Sequence, residues 1–332
     1  MFNNKNILVT GGTGSFGNRF IKVFLKKFKP KKLIVYSRDE LKQYEMKMLF
    51  KEYKCLRFFL GDVRDRERLR FALREVDYVI HAAALKQVDT AEYNPIECLK
   101  TNINGAENVI DASLHNKVKK VIALSTDKAV NPINLYGVTK LASDKLFISA
   151  NLLSGNLGTK FSVVRYGNVV GSRGSVFPLF KKLIKENKKI LPITHPDMTR
   201  FWITFDQGVE LDLQSFNRII GGEIVIPIIP SRTITDLAKS MGPNIKTNII
   251  GIRPGEKIHE LLCSADESQN VKKMKNHLVI IPSYTQNSLN KKYINNLGEK
   301  GKIVKRDFEY NSGKNKDFLR ISDIKKLNNN IS

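Results

Sequence analysis

Through the first half of the chain, short β-branched and aliphatic runs alternate with longer stretches that carry apolar residues at every third or fourth position. The runs at 6–10, 32–36, 56–60, 78–81 and 121–125 predict strands, and a sixth follows at 161–165. Between them the periodicity predicts helices over 17–28, 40–52, 65–74, 95–116 and 135–150. Alternation at this spacing predicts an α/β fold, a Rossmann-type doubly wound parallel sheet with helices on both faces. After Gly174 the rhythm breaks, and Pro178, Pro192, Pro196, Pro227, Pro230, Pro243 and Pro254 mark a smaller, mixed α/β lobe over the carboxyl edge of the sheet. The expected division is a nucleotide-binding domain over 1–168 with about 200–220, and a substrate-binding lobe over 169–199 and 221–285. A C-terminal extension, 286–332, is too weakly periodic for its fold to be predicted.

No apolar run approaches the roughly 18–20 residues that span a bilayer. The opening MFNNKNILVTGG reads as a first strand rather than a signal peptide. Cys55, Cys98 and Cys263 lie far apart with no CxxC pair, which argues against a disulfide framework or zinc ribbon. A cytoplasmic protein is expected. Lys and Arg number 56 against 32 Asp and Glu, a formal net charge of +24. The lysines are scattered, without the interleaved aromatic residues that base stacking needs. No nucleic-acid or membrane partner is therefore expected, and the excess favours encounter with an anionic small substrate. His81, His115, His195, His259 and His277 lack ligand spacing, so no metal is expected.

The first strand runs into Thr10-Gly11-Gly12-Thr13-Gly14-Ser15-Phe16-Gly17, followed at once by the apolar Phe20, Val23 and Phe24. A GxxGxxG turn between strand and helix lets the backbone approach a pyrophosphate, and the helix N-terminus offers it unpaired N–H groups. The expected contacts here are Gly11, Thr13, Gly14, Ser15, Phe16 and Gly17. After the second strand stand Ser37, Arg38, Asp39 and, beyond Glu40, Lys42. A hydroxyl and a guanidinium at the strand tip suit a 2′-phosphate, while the acids open the next helix, so NADP is favoured over NAD. Asp62 is placed either to receive an adenine amino group, beside Val63, or to cap the helix opening at Arg64-Asp65. Ala82, Ala83 and Ala84 are small enough to let the cofactor pass.

The fifth strand ends in Ser125-Thr126-Asp127-Lys128, and Tyr136-Gly-Val-Thr-Lys140 follows. Tyr136 and Lys140, spaced i and i+4, share one helix face. Lys140 is expected to hold ribose hydroxyls and, with the nicotinamide cation, to favour an ionised Tyr136. A tyrosinate takes a hydroxyl proton while hydride leaves.

These segments, together with YSRDELKQ, GDVRD, HAAALKQVDTAEYNP, RYGNVVGSRGS, MTRFWIT and IRPGEKIHE, carry a resemblance. Over roughly residues 5 to 285 the chain resembles the extended short-chain dehydrogenase/reductases, and within them the inverting UDP-N-acetylglucosamine 4,6-dehydratases that open pseudaminic acid biosynthesis. GxxGxxG and YxxxK alone point only to the superfamily. Retaining dehydratases commonly carry Asp-Glu where this chain has Asp127-Lys128, and membrane-bound relatives often replace the tyrosine with methionine.

The resemblance implies that Tyr136, with Thr126 and Lys140, serves oxidation at carbon 4. Lys128, if deprotonated by a nearby cation, abstracts the carbon-5 proton, and protonated Asp127 assists loss of the 6-hydroxyl. The implied product is UDP-2-acetamido-2,6-dideoxy-β-L-arabino-hex-4-ulose, with NADP tightly held and regenerated, and the implied outlet is flagellin or related surface glycosylation. Asn168 is implied beside the sugar, and Val169 beside the cofactor. Arg173, Arg200 and Arg253 are expected on the diphosphate, Glu256 on the uridine ribose, and Lys86 between cofactor and substrate. A homo-oligomer built on dimers, up to a hexamer, is implied as well. Two other readings stay open: a UDP-hexosamine 4-epimerase or reductase using the same Tyr–Lys pair, which would not need Asp127 and Lys128, and an NADP-binding regulator without turnover.

Overall fold

Five consecutive buried residues, Asn6–Thr10, form the central strand β1. Such a run, buried on both faces, suits the middle of a parallel sheet covered by helices. A computed structural model describes residues 1–285 and 293–329. The order continues α1 (Ser15–Lys27), β2 (Lys32–Ser37), α2 (Glu40–Leu49), β3 (Leu56–Leu60), α3 (Arg66–Ala72), β4 (Tyr78–His81), α4 (Val88–Tyr93), α5 (Pro95–Leu99), α6 (Gly105–His115), β5 (Lys120–Thr126), α7 (Leu135–Ser154) and β6 (Lys160–Tyr166). These strands stand in the order β3-β2-β1-β4-β5-β6, all parallel, with Val9 in register between Val35 and Ile80. The order reverses at β1, and ligands of such sheets bind in the crevice beyond the strand ends at that point.

The sheet runs further than the sequence suggested. Beyond β6 it adds Ile224–Pro227 in parallel, then His277–Ile280, Val271–Lys273 and Lys302–Ile303 antiparallel, making ten strands. Residues 221–285, expected wholly in the smaller lobe, thus supply three strands to the large sheet. The helix Phe205–Arg218 lies on the sheet as well, burying Val209, Leu213 and Phe216 in the main core, where Phe216 meets Phe2 and Tyr78 edge-on.

The expected helix over 95–116 is broken. Between α5 and α6 a π-helical turn occupies Lys100–Asn104, a feature common at functional sites. It turns Asn102 inward, where its Nδ2 donates to Leu85 O at 2.9 Å and Thr139 Oγ1 at 2.9 Å, and its Oδ1 accepts from Leu85 N at 2.8 Å. The loop after β4 is thereby pinned against α7.

A second, smaller core holds Val170, Phe177, Phe180, Leu191, Met198, Trp202, Leu237 and Ile324. Around it lie a three-stranded sheet of Ser231–Thr233, Thr199–Ile203 and Asn168–Val169, and a two-stranded one of Lys246–Ile249 and Ile190–Ile193. The extension is woven into both cores. Ile324, from the helix Ile321–Asn329, is buried in the second, and Tyr310 is buried in the first, its hydroxyl bonded to Ile229 N and O. Residues 286–292 and 330–332 of the extension lie outside the described residues.

Candidate active site

At the carboxyl ends of β1 to β6, facing the smaller lobe, opens a cleft of about 790 Å³. Every residue expected from the sequence to touch cofactor or substrate lines it except Gly17. A Cβ on Gly17 would stand 2.2 Å from Gly12 O, so the absence of a side chain here lets α1 pack on the turn. α1 starts at Ser15, with Gly14 as an N-cap that supplies no side-chain bond and no acid in its first turn. Its terminal N–H groups are free of side-chain partners beside a wall of Gly11, Thr13, Ala82, Ala83 and Ala84. A free helix N-terminus in a glycine turn fits a dinucleotide pyrophosphate.

At the tip of β2, Asp39 caps α2 by accepting from Lys42 N at 3.0 Å, and it also pairs with Lys42 Nζ. Those bonds to Lys42 hold its carboxyl below the ordinary aspartate range. Ser37 Oγ accepts from Gln43 Nε2 at 3.1 Å, and Arg38 stands at the rim, 3.7 Å from Asp62. Asp62 accepts from Arg64 N and from the Arg64 guanidinium, at 3.0 and 2.8 Å, while the cap of α3 is Asp65.

The opposite wall begins where β5 ends. Thr126 leads into a single 3₁₀ turn, Asp127–Ala129, and Asn134 caps α7 by accepting from Gly137 N at 2.8 Å. Asn134 Nδ2 also donates to Gly255 O at 2.8 Å, tying the start of α7 to the Arg253–Glu256 turn. Gly137 is required beside Tyr136, because a Cβ there would lie 2.2 Å from Lys128 O. The dense contact brings Asp127, Lys128 and Tyr136 to one patch.

Lys128 Nζ lies 3.1 Å from Asp127 Oδ1 and 3.4 Å from Glu260 Oε1. Thr126 Oγ1 donates to the same Asp127 oxygen at 2.9 Å. Asp127 Oδ2 and Glu260 Oε2 are buried without a hydrogen-bond partner among the described residues. Burial works against the Lys128 ammonium, but Asp127 and Glu260 outweigh it and hold the group above the ordinary lysine range. A neighbouring cation that would favour deprotonation is present in Arg200, but the two carboxylates prevail over it. Tyr136, by its own protein surroundings, holds its proton. Burial pushes its phenol up to about 12, against the pull of Lys128 and a bond with Thr126. Lys140 Nζ donates to Leu124 O at 2.7 Å, and burial lowers its proton affinity.

The substrate-side residues are spread along the rim. Lys86 Nζ donates to Arg173 O at 3.0 Å, and Asn168 Oδ1 is buried without a partner among the described residues. Arg200 Nη1 donates to Thr199 O and Ile258 O at 2.7 and 3.1 Å, and its Nε lies 3.9 Å from Glu260 Oε1. Glu256 accepts from Arg253 N at 3.4 Å. Sequence reasoning passed over Glu260 and Asn102. Glu260 ends the quoted IRPGEKIHE segment, but an acid there reads as surface until the fold sets it against Lys128.

The sequence profile of the polysaccharide biosynthesis protein family matches residues 7–282. The chain belongs to that family. It is 58% identical over 325 residues to the UDP-N-acetylglucosamine 4,6-dehydratase (inverting) of Campylobacter jejuni, covering 98% of this chain and 97% of that one. It is also 42% identical to a UDP-glucose 4-epimerase of Rickettsia bellii, over 98% and 96% of the two chains. Among solved structures, Pen from Bacillus thuringiensis superposes with a TM-score of 0.89 at 38% identity, covering 99% and 98%. The fold is the Rossmann-type one expected, shared with nucleotide-sugar dehydratases and epimerases. Among the described residues no helix is long and apolar enough to cross a membrane.

Proposed function

We propose that this protein is a UDP-N-acetylglucosamine 4,6-dehydratase that inverts carbon 5, giving UDP-2-acetamido-2,6-dideoxy-β-L-arabino-hex-4-ulose. The observation that carries the reading is the contact of Lys128 with Asp127 at 3.1 Å, in one cleft with Tyr136. A 4-epimerase needs a single proton acceptor, whereas elimination needs a base at carbon 5 and an acid at the 6-hydroxyl as well.

Held in this cleft, a nicotinamide dinucleotide would supply reversible hydride acceptance, so that the hydride lost from carbon 4 could return at carbon 6 with no net redox change. Tyr136 removes the proton of the 4-hydroxyl, and its high proton affinity before binding means that the complete site, with the nicotinamide cation in place, must ionise it. Lys140, anchored on Leu124 O, keeps further N–H groups for ribose hydroxyls. At carbon 5 the ion pair is itself the source of both catalysts. Moving one proton from Lys128 Nζ to Asp127 yields a neutral amine and a neutral acid together. The amine takes the carbon-5 proton, made acidic by the 4-ketone. The C5–H electron pair becomes the C5–C6 double bond, and the C6–O bond breaks as Asp127 gives its proton to the leaving hydroxyl. After carbon 6 is reduced, carbon 5 takes a proton from solvent on its other face, balanced by the one Tyr136 releases as it returns to its starting state.

NADP is the proposed cofactor. Asp39 is engaged as a helix cap and with Lys42, which leaves Ser37 and Arg38 at the tip of β2 to meet a 2′-phosphate, with Lys42 beside them. Arg173, Arg200 and Arg253 are the proposed diphosphate ligands, Glu256 the ribose ligand, and Asn168 the sugar ligand. A cytoplasmic homo-oligomer acting in pseudaminic acid or related surface-glycan synthesis completes the reading. Assembly is supported by Tyr93, Ile96 and Val138, which are apolar and exposed on α4, α5 and α7. Purified protein given UDP-N-acetylglucosamine tests the activity. An NMR spectrum of a 6-deoxy-4-keto sugar supports it, and formation of UDP-N-acetylgalactosamine alone replaces it with the epimerase.

A further inference from the structure

Glu260 has no part in the chemistry set out above, yet it is only 2% exposed and lines the same cleft. Its Oε1 stands between two cations, 3.4 Å from Lys128 Nζ and 3.9 Å from Arg200 Nε, and its Oε2 has no hydrogen-bond partner among the described residues. Its backbone is clamped from both sides by the extension: Glu260 N donates to Ser312 Oγ at 2.9 Å, and Ser312 N donates to Glu260 O at 2.9 Å. Ser312 is fully buried and also bonds Thr199 Oγ1 at 2.7 Å, beside the strand that carries Arg200. A buried acid fixed this firmly against a working lysine is costly unless its charge is used.

We propose that Glu260 is a positioning residue, the second carboxylate that holds Lys128 Nζ in place and keeps its charge compensated while Asp127 is neutral. The inference rests on the reading of Lys128 as the carbon-5 base. Its physics is a count of charges. At rest the cluster has two cations, Lys128 and Arg200, and two carboxylates, Asp127 and Glu260. Shifting a proton from Lys128 to Asp127 leaves Arg200 facing Glu260, so no uncompensated charge is created. When Lys128 takes the carbon-5 proton before Asp127 has released its own, Glu260 is the carboxylate left to balance the new ammonium. Without it the amine would sit beside Arg200 alone, its affinity for the carbon-5 proton would fall, and elimination would slow. The other groups acting on Lys128 are Tyr136, also within the cleft, and Lys86 and Lys257. Both of these lysines are cations, so neither replaces the carboxylate.

The test is Glu260→Gln, which keeps shape and removes charge, assayed with UDP-N-acetylglucosamine in the full chain carrying its nucleotide. The expected result is a kcat lower by about 10–100-fold, the weight of a bond between charged groups, with KM and bound-nucleotide content nearly unchanged. Because the carboxylate raises the proton affinity of Lys128, the alkaline limb of the kcat profile should move to lower pH in Glu260→Gln and return in Glu260→Asp. In a Lys128→Ala background the same substitution should cost nothing more. A Glu260→Gln enzyme with the wild-type rate and alkaline limb, or a full additional loss on top of Lys128→Ala, overturns the proposal. Wild-type protein that places no solvent deuterium at carbon 5 fails the dehydratase reading itself, which separates the two failures.

Discussion

On the proposed cofactor wall the cleft is lined by a helix N-terminus and mostly small side chains, drawn from short consecutive runs such as Gly11 to Phe16 and Ala82 to Ala84. On the reaction wall they are buried charges gathered from the turn after β5, the strand Thr199–Ile203 and the segment ending at Glu260. The first wall needs shape, because a helix terminus attracts an anion with no side chain to aim. The second needs a stored proton, and only a compensated cluster keeps one in a poorly hydrated place. Damage to the first should therefore appear as lost cofactor, and damage to the second as lost turnover with cofactor retained.

The largest break in this contrast should come from Lys128→Ala. Turnover should fall by about 10²–10⁴-fold, the usual weight of a general base, while single-turnover absorbance still reports oxidation at carbon 4. If oxidation disappears with elimination, Lys128 serves binding and the division between the walls fails. Tyr136→Phe should cost turnover on the same scale but block oxidation itself, leaving bound nucleotide intact on extraction. A Phe variant keeping most of its rate would remove Tyr136 from the chemistry.

Gly17→Ala should behave in the opposite way. Forcing a methyl group against Gly12 O should destabilise the protein by about 1–3 kcal/mol, read as a lower Tm, with less nucleotide retained and no specific effect on elimination. Wild-type stability with weakened nucleotide binding would mean that Gly17 touches the ligand after all. The smallest effect is expected at the rim. Arg38→Ala should cut the preference for NADP over NAD by about tenfold, as loss of one exposed charged bond implies. An unchanged preference would hand the 2′-phosphate to Lys42.

What was legible in the sequence follows the same line. The glycine turn and Tyr136–Lys140 are each closed within a few residues, so local spacing shows them. Motif spacing does not distinguish a glycine that admits a phosphate from one that admits a helix, so it did not set Gly17, which packs on Gly12 and lies off the cleft lining, apart from the others. The π-turn at Lys100–Asn104 keeps helical periodicity on either side and leaves no mark in the pattern. Glu260 and Ser312 meet Lys128 and Thr199 only through tertiary packing. The extension reached that packing through strands as short as Tyr310–Asn311, which carry no period to detect. The charge of Lys128 was likewise unreadable, since Glu260 joins Asp127 in opposing its burial only in the folded chain.

The reaction wall's stored proton is tested most directly by running wild-type protein with UDP-N-acetylglucosamine in heavy water and examining carbon 5 of the product by NMR. Deuterium at carbon 5 with inverted configuration is the predicted result. A product with unlabelled carbon 5, or with label and retained configuration, would contradict it.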